Sequence, residues 1–259
     1  SRGLGDVYKR QILLQGSSVK SLTFLGDMFD GVQCPCILLQ LVATGKPLST
    51  VGMRIEDRTR TFIIAMERTV VPENFSFRMT DEEYRVLEKI KNSIPVCYLA
   101  DHADFALGIV TGNNKKFLSA EKTEHSEMVL KGTDICKYHI NPAKQYLRFE
   151  PEQFQQVAPL EIYRAPEKLL YRFISNQLVV AYDDRQMLSL NSCNIVIPKI
   201  EGMQIKYILA ILNSSVSQFV YQKEFHSIKV LRAHMEHIPI PRVGKAIQNE
   251  IIAMTEPLI

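Results

Sequence analysis

Apolar positions are spaced differently in the first and second parts of the chain. Near the start, residues 36–43 and 61–66 are two almost continuous apolar runs, a pattern typical of strands that are covered on both faces. Such strands indicate the edge of a larger α/β sheet. No helix-length pattern separates the two runs, and so short a segment cannot build a whole sheet. We therefore expect the chain to begin inside a domain.

The segments on either side of these runs have other patterns. Residues 1–11 show neither helical nor strand periodicity, and we interpret them as a non-native segment outside the fold. Downstream, Thr80 and Glu83 form a capping-box pattern, and apolar residues recur at helical spacing until Pro95. This pattern predicts a helix that links two modules.

The second module is predicted to be rich in short strands. Helices are favoured for residues 151–157, for the amphipathic stretch 203–221 and for residues 245–254. Strand-like runs bounded by turn residues lie at 105–111, 128–131, 146–149, 169–174, 178–182 and 194–198. The pattern therefore predicts an α+β fold, a strand-rich mixed domain with one long amphipathic helix.

The composition is that of an ordinary globular protein. The chain has 259 residues, of which 46% are hydrophobic and 23% charged, and its net charge is only +3. Its five cysteines are an odd number, which favours free thiols in a reducing compartment. The longest apolar stretch, Cys36–Ala43, is far shorter than the roughly 20 residues of a membrane helix. We expect a soluble, cytoplasmic protein without a membrane partner.

Two stretches of the chain carry a local excess of positive charge. Residues 113–148 contain seven cations and four anions, and residues 199–245 contain seven cations and three anions. If the fold brings the two stretches together, they could form one footprint for a polyanion. A scatter of solubilising lysines explains the same composition, so charge alone leaves the choice open.

The sequence contains no recognisable catalytic or metal site. His226, His234 and His237 lack further ligands at a typical metal-binding spacing, and Asp183 and Asp184 are better explained as a turn. The twelve glycines are dispersed, so no glycine-rich phosphate or dinucleotide loop is present. We therefore expect recognition rather than catalysis from this chain.

Residues 105–118 are the most informative segment for binding. An apolar strand leads into a glycine-asparagine turn that carries two lysines and an aromatic residue. Glycine permits positive φ, asparagine can pair with adenine, and lysine can contact guanine or phosphate. The later segments 131–138 and 163–176 have a similar mixture of residues. These types fit DNA but also a carbohydrate or peptide groove, so the residues alone leave the ligand open.

Six short motifs follow one another in the second module. They are Leu-Gly-Ile-Val-Thr-Gly-Asn-Asn at 107–114 with Phe117, Lys-Gly-Thr-Asp-Ile at 131–135 with Tyr138, Ile-Tyr-Arg-Ala-Pro-Glu-Lys-Leu-Leu at 162–170, Val-Ala-Tyr-Asp-Asp at 180–184, Lys-Tyr-Ile-Leu-Ala-Ile-Leu-Asn-Ser at 206–214 and Ile-Pro-Ile-Pro at 238–241. In this order they resemble the TaqI-like C-terminal specificity domain of adenine-specific DNA methyltransferases and fused restriction-modification enzymes. Upstream, residues 28–32 and the apolar run after them resemble the last strands of the methyltransferase domain itself.

The resemblance implies recognition of double-stranded DNA. In this family the specificity domain lies on DNA and selects the sequence in which an adenine is methylated at N6. The chain would then comprise the end of a truncated α/β methyltransferase domain at 12–72, a linking helix at 73–95 and the target-recognition domain at 96–259.

The resemblance also implies that part of the enzyme is missing here. The family's S-adenosylmethionine loop and its Asn-Pro-Pro-Tyr motif have no counterpart in this sequence. We therefore expect this chain to hold no cofactor and to be inactive alone. The full-length parent, with the missing catalytic half of the methyltransferase, would use S-adenosylmethionine.

The DNA-binding residues that the resemblance implies lie in the three segments described above. Lysines are expected to hold phosphates, and asparagines or Tyr138 to lie nearer base edges. No catalytic or metal-binding residue is expected. The expected DNA contacts are Thr111, Gly112, Asn113, Asn114, Lys115, Lys116, Phe117, Lys131, Gly132, Asp134, Lys137, Tyr138, Lys168 and Arg172.

Two other hypotheses stay open beside DNA recognition. The apolar strands within residues 36–66 would leave an exposed sheet edge, at which a protein partner could pair. The chain would then be a protein-interaction module. A free-standing hydrolase that uses Asp183 and Asp184 is the third hypothesis, and it would require metal-dependent turnover.

Overall fold

The computed structural model describes residues 4–31, 34–70, 77–225 and 227–259. These residues form two compact units, Ser1–Lys89 and Ile90–Ile259. Parts of the sequence predictions rest on residues outside the described ones, namely residues 1–3, Val32, residues 71–76 and His226.

One small sheet with a preceding helix makes up most of the first unit. Its elements are α1 (Leu4–Gly16), β1 (Ser17–Asp27), β2 (Pro35–Ala43), β3 (Arg54–Glu56) and β4 (Thr61–Ile63), followed by α2 (Asp81–Asn92). The sheet order is β2-β1-β3-β4, with β1 antiparallel to β2 and parallel to β3. Its core is made of Val19, Leu22, Met53, Ile55, Ile64 and Phe77.

Helix α1 corrects the prediction that residues 1–11 have no regular structure. Residues 4–11 belong to this helix. Its apolar residues do not repeat at a clear helical spacing, so the pattern gave no signal. Leucine, lysine, arginine and glutamine nevertheless have high intrinsic helix propensity, which the apolar pattern does not report.

Strand β2 was predicted to be covered on both faces, and this prediction is wrong for the first unit. Seven of the nine residues of β2 are exposed, and β2 is the edge strand of its sheet. The apolar run identified the strand correctly, since residues 35–43 pair with β1 over its whole length. Whether a strand is covered depends on the elements that pack against it, and the apolar run of β2 does not indicate which elements these are.

The capping box of helix α2 is confirmed. The Thr80 backbone N–H donates to Glu83 Oε2 at 2.9 Å, and the Glu83 N–H donates to Thr80 Oγ1 at 3.3 Å. Both bonds satisfy N–H groups that the first helical turn leaves unpaired. The helix ends at Asn92, because a residue that precedes proline, here Ile94 before Pro95, disfavours helical geometry.

Short strands dominate the second unit, as predicted. Its helices are α3 (Asn114–Phe117), α4 (Leu160–Tyr163), α5 (Ile205–Asn213), α6 (Ser215–Glu224), α7 (Arg232–Met235) and α8 (Lys245–Thr255). Its strands are β5 (Val96–Cys97), β6 (Ala103–Ala106), β7 (Leu118–Ser119), β8 (Glu127–Leu130), β9 (Tyr146–Leu147), β10 (Lys168–Arg172), β11 (Val180–Asp183), β12 (Leu188–Ser189), β13 (Cys193–Pro198) and β14 (Ile240–Pro241).

The strands of this unit form three sheets. An antiparallel sheet has the order β11-β10-β13-β6, and a second sheet has the order β12-β8-β9-β7, in which β12 runs parallel to β8. Strands β5 and β14 form the third. Buried side chains of both larger sheets share one apolar cluster, which includes Val129, Leu147, Leu170, Leu188 and Ile195.

The single long amphipathic helix that was predicted is two helices. Helix α5 ends and α6 begins at Ser214, whose backbone is extended with ψ 157°. Ser214 Oγ accepts a hydrogen bond from the Ser217 N–H at 3.2 Å and so caps the second helix. The apolar spacing continues across the break, so periodicity alone predicts one helix. The helix predicted at 151–157 is likewise only a 3-10 turn at Pro151–Gln153.

Asn213 joins the end of α5 to the edge strand β11. Its Oδ1 accepts from the Val180 N–H at 3.1 Å, and its Nδ2 donates to the Val180 carbonyl at 2.8 Å and to the Leu209 carbonyl at 3.2 Å. The side chain is buried. One carboxamide therefore pairs with both backbone groups of Val180. The Val180 carbonyl also accepts from the Tyr138 N–H at 2.8 Å, whereas Asn213 supplies the acceptor for the Val180 N–H.

Replacing Asn213 with alanine should lower the free energy of unfolding by about 2 kcal/mol, because the buried Val180 N–H loses its acceptor. Urea unfolding followed by circular dichroism measures this loss. The control is Asn176→Ala, which removes an exposed carboxamide. Equal losses in the two variants would mean that Asn213 does not hold the strand edge.

Candidate nucleic-acid interface

The turn at residues 190–192 lies between the two segments in which the sequence placed its main binding motifs. The Leu190 N–H donates to the Leu130 carbonyl at 2.7 Å, and the Asn191 N–H donates to the Ile109 carbonyl at 3.1 Å. The turn is therefore bonded on one side to the strand that precedes Lys131 and on the other side to the 107–114 motif.

Glycines at two motif positions allow this close packing. A Cβ on Gly108 would lie 2.1 Å from the Leu190 carbonyl oxygen, and a Cβ on Gly132 would lie 2.5 Å from the Ser192 carbonyl oxygen. The Gly132 N–H also donates to Ser192 Oγ at 3.0 Å. Both glycines are required because backbone approaches backbone, which no residue with a Cβ permits at these distances.

A cavity of about 420 Å³ opens beside the turn. It brings together the segments 111–117 and 131–138, which the sequence separates by more than a dozen residues. Its walls carry amide, hydroxyl and ammonium groups. It is lined by Asn114, Lys115, Leu118, Lys131, Gln145, Leu190, Asn191 and Ser192.

A second cavity of about 480 Å³ shares Lys131 with the first. We call the lining residues of the two cavities the recognition surface. Its three lysines are Lys115, Lys131 and Lys144, whereas its single carboxylate, Asp134, is buried and only 8% exposed. The second cavity is lined by Lys131, Thr133, Asp134, Asn141, Pro142 and Lys144. The recognition surface is therefore basic, with uncharged hydrogen-bonding groups between the lysines.

Local hydrogen bonds shape the 111–117 segment. Asn113 Oδ1 accepts from the Lys116 N–H at 3.2 Å and caps helix α3. Thr111 Oγ1 donates to Asn114 Oδ1 at 2.6 Å, while Thr111 itself is buried. Gly112 has φ +76°, a conformation that glycine adopts without strain. Asn113 and Thr111 thus position the turn, and Asn114 faces the cavity.

The two lysines and the phenylalanine of this segment have different environments. Lys115 is exposed on the recognition surface, and Lys116 Nζ lies 3.4 Å from Gln153 Oε1 and 4.6 Å from the Phe117 ring centroid. The Phe117 ring packs edge-on against Phe154 at 5.4 Å, next to the core. The Phe117 ring is therefore used at least in part for packing, and its contact with DNA stays a prediction.

The Lys131–Asp134 turn is stabilised from within. Asp134 Oδ2 accepts from the Lys131 N–H at 2.9 Å. Arg172 Nε donates to the Gly132 carbonyl at 2.9 Å, and its Nη2 donates to the Ile135 carbonyl at 2.5 Å. Asp134 and Arg172, both expected at DNA, therefore hold the turn in place. The side chain of Lys131 remains at the surface and lines both cavities.

Lys137 and Tyr138 connect the same segment to other elements. Lys137 Nζ donates to the Asn213 carbonyl at 3.2 Å. Tyr138 has φ +77°, and its backbone exchanges hydrogen bonds with the Val180 carbonyl at 2.8 Å and the Tyr182 N–H at 3.1 Å. Burial raises the pKa of the Tyr138 hydroxyl. Neither residue lines the two cavities.

Lys168 is not a DNA contact in this fold. Its side chain is completely buried, and its Nζ lies 2.6 Å from the Tyr163 carbonyl and 2.5 Å from Asp183 Oδ2. Burial lowers the pKa of Lys168, while the hydrogen bond and the charge of Asp183 oppose this shift. The expectation that Lys168 holds phosphate is therefore corrected.

The alternative sites considered from the sequence have structural roles. Asp183 also accepts the N–H groups of Arg185 at 2.9 Å and Met187 at 3.0 Å, which confirms the predicted turn. The His234 ring stacks on Phe225 with centroids 4.5 Å apart. Within the part of the chain that the structure describes, no three His, Cys, Asp or Glu side chains are arranged to hold a metal ion.

Several residues of the recognition surface were missed by the sequence reasoning. Asn191 and Ser192 separate two apolar runs, so a turn signal was present at this position. Nothing in the sequence indicated that this turn reaches the 111–117 segment. The other polar residues that were missed are Thr133, Asn141, Lys144 and Gln145, of which Thr133 lies inside a predicted segment.

Comparison with known proteins confirms the resemblance. Residues 127–240 match the family model described as the TaqI-like C-terminal specificity domain. The matched range includes Lys131, the 190–192 turn and helices α5 and α6, whereas the 107–117 motif precedes it. A search of curated proteins found no match.

Solved structures that match this chain come from restriction-modification systems. The Type IIL restriction-modification enzyme MmeI in complex with DNA is 10% identical, and the match covers 96% of this chain and 39% of that chain with a TM-score of 0.57. The HsdS subunit from Thermoanaerobacter tengcongensis is 13% identical over 68% of this chain and 42% of its own, with a TM-score of 0.43. The chain thus spans about two fifths of the length of these proteins. Among the described residues, no helix is long and apolar enough to cross a membrane.

Proposed function

Because residues 127–240 match the TaqI-like C-terminal specificity domain, we propose that this chain recognises a target sequence in double-stranded DNA within a restriction-modification system. The observation that carries the proposal is the recognition surface, where two distant motifs meet the 190–192 turn. Lys115, Lys131 and Lys144 supply positive charge for phosphates, and the amides and hydroxyls between them supply groups for base edges.

The chain would be the specificity part of an N6-adenine DNA methyltransferase or restriction-modification enzyme. In this proposal residues 12–72 end the catalytic domain, and the remaining catalytic half is a partner of the chain. S-adenosylmethionine would be the methyl donor of the complete enzyme. The sequence lacks a glycine-rich loop that would fit this cofactor, so we propose no methyl-transfer step in the chain itself. A cytoplasmic location remains a prediction.

Sequence-specific binding can be tested with the purified chain and a randomised duplex library, by selection and sequencing over a salt series. We expect one sequence motif to be enriched and the affinity to fall steeply as salt rises, because lysines that contact phosphates release counterions. Binding that neither selects a sequence nor depends on salt would contradict the proposal.

The lysines of the recognition surface can be tested through the salt dependence of DNA affinity. Lys115→Gln and Lys131→Gln should each weaken binding to all sequences alike and reduce the slope of log affinity against log salt by about 0.9. The matched control is Lys245→Gln, an exposed lysine outside this surface. An unchanged slope in the first two variants would place phosphate binding elsewhere on the protein.

A second candidate function rests on the exposed edge strand β2. Ile37, Leu38 and Val42 are 57%, 60% and 50% exposed. Several exposed apolar side chains on one strand indicate an interaction site, whereas single exposed apolar residues do not. We propose that the sheet edge within residues 36–66 pairs with the catalytic half of the same enzyme. Leu38→Lys should then weaken co-purification with a separately produced catalytic half, while DNA selection by the chain stays unchanged.

A further inference from the structure

Three carboxamide side chains line the 420 Å³ cavity of the recognition surface. They are Asn114, Gln145 and Asn191, and each comes from a different segment of the chain. Asn114 Oδ1 already accepts a hydrogen bond from Thr111 Oγ1 at 2.6 Å. The carboxamide of Asn191 forms no hydrogen bond with another described residue, and the residue is exposed. Asn191 therefore offers both its donor and its acceptor to a ligand.

The backbone that carries Asn191 is fixed. The Asn191 N–H donates to the Ile109 carbonyl at 3.1 Å, and the Cys193 N–H donates to the Leu190 carbonyl at 2.7 Å. Gly108 and Gly132 approach the two ends of the turn so closely that neither tolerates a Cβ. Because the backbone is already ordered, binding has to order only the Asn191 side chain and not the turn that carries it.

The chemistry of the free group indicates what it recognises. A carboxamide can donate from its nitrogen to adenine N7 while its oxygen accepts from the adenine N6 amino group, and this bidentate pairing distinguishes adenine from the other bases in the major groove. Lys115 and Lys131 line the same cavity and can hold the flanking phosphates. These cations fix the register in which a base edge meets Asn191.

We propose that Asn191 reads an adenine of the target sequence through its carboxamide. The inference rests on the proposed function and specifies which residue and which base carry part of the sequence choice. Asn114 and Gln145 then lie at the sides of the cavity, where they face the same or the adjacent base pair.

The first test compares sequence selection by the wild type, Asn191→Ala and Asn176→Ala on the same randomised duplex library. The wild-type motif should contain an adenine at which Asn191→Ala loses its preference, while preferences at other positions remain. Affinity for the wild-type motif should fall on the order of tenfold to a hundredfold, as for the loss of one bidentate contact. Asn176→Ala, which removes an exposed turn carboxamide outside the cavity, should behave as the wild type.

The second test leaves the protein unchanged. Replacing the adenine by 7-deazaadenine removes the N7 acceptor but keeps Watson–Crick pairing. The wild type should bind this duplex on the order of tenfold more weakly, whereas Asn191→Ala should bind both duplexes equally, because the interacting atom has been removed from the protein instead.

The outcomes separate the inference from the proposed function. If the wild type selects a motif and Asn191→Ala selects the same motif with equal affinity, the inference is overturned and the proposed function stands. A motif in which 7-deazaadenine is tolerated at every adenine also overturns the inference alone. If the wild type selects no sequence at all, the proposed function fails and the inference fails with it.

Discussion

Lys168→Met is expected to lower the free energy of unfolding of the second unit by about 3–5 kcal/mol. The Lys168–Asp183 pair is completely buried, with Nζ and Oδ2 only 2.5 Å apart. Removing the lysine leaves the Asp183 carboxylate without its counter-charge in a site that water does not reach. Urea unfolding of the wild type and the variant, followed by circular dichroism, measures the difference.

An exposed ion pair of the same chemistry provides the control. Lys199 Nζ lies 2.6 Å from Asp104 Oδ2, but the two side chains are 59% and 42% exposed, so Lys199→Met should cost less than about 1 kcal/mol. The double variant Lys168→Met with Asp183→Asn should recover part of the loss, because no charge remains buried. Equal costs for Lys168→Met and Lys199→Met would contradict the assignment of a stabilising buried pair.

Gly108→Ala is expected to destabilise the second unit by about 3 kcal/mol, at the upper end of overpacking costs. The added Cβ would lie 2.1 Å from the Leu190 carbonyl oxygen and 2.7 Å from the Cys193 carbonyl oxygen. Both neighbours are backbone atoms, so the strain cannot be relieved by a change of side-chain rotamer. The 190–192 turn must move, and sequence selection by Asn191 should be lost together with stability.

The measurements for Gly108→Ala are urea unfolding and selection on the randomised library. Gly244→Ala is the matched control, since a Cβ there meets no atom within 4 Å and the Gly244 φ of −65° suits any residue. It should cost less than about 1 kcal/mol and leave DNA selection unchanged. A stable Gly108→Ala variant that selects the wild-type motif would show that the turn does not depend on this close approach.

Local patterns predicted elements of both units well where the physical cause was local. The capping box at Thr80 and Glu83 and the turn at Asp183 were both read from short-range hydrogen bonding, and both are present. The break at Ser214 was missed, because two helices that pack on one core keep the apolar spacing of a single helix. The prediction that β2 is covered on both faces failed for another reason. An apolar run indicates that a strand can be buried, but it does not indicate which elements pack against it.

The candidate site could be predicted only in part for a related reason. Lys115 and Lys168 were both expected to contact DNA, yet one is exposed on the recognition surface and the other is completely buried. The difference is made by Asp183, which lies on the neighbouring strand β11 and compensates the buried charge. Residue type indicates what a side chain can do, whereas its neighbours in the fold decide whether it is available.

The sequence by itself determined the resemblance to TaqI-like specificity domains, the α+β class and two of the segments that meet at the recognition surface. These features rest on residue order, local hydrogen bonding and apolar spacing, which act over a few residues. Only the tertiary structure decided that the 190–192 turn packs against Gly108 and Gly132 and presents Asn191 beside Lys115. That arrangement depends on backbone contacts between residues about 60 to 80 positions apart in the sequence, and no local pattern encodes which distant segments will meet.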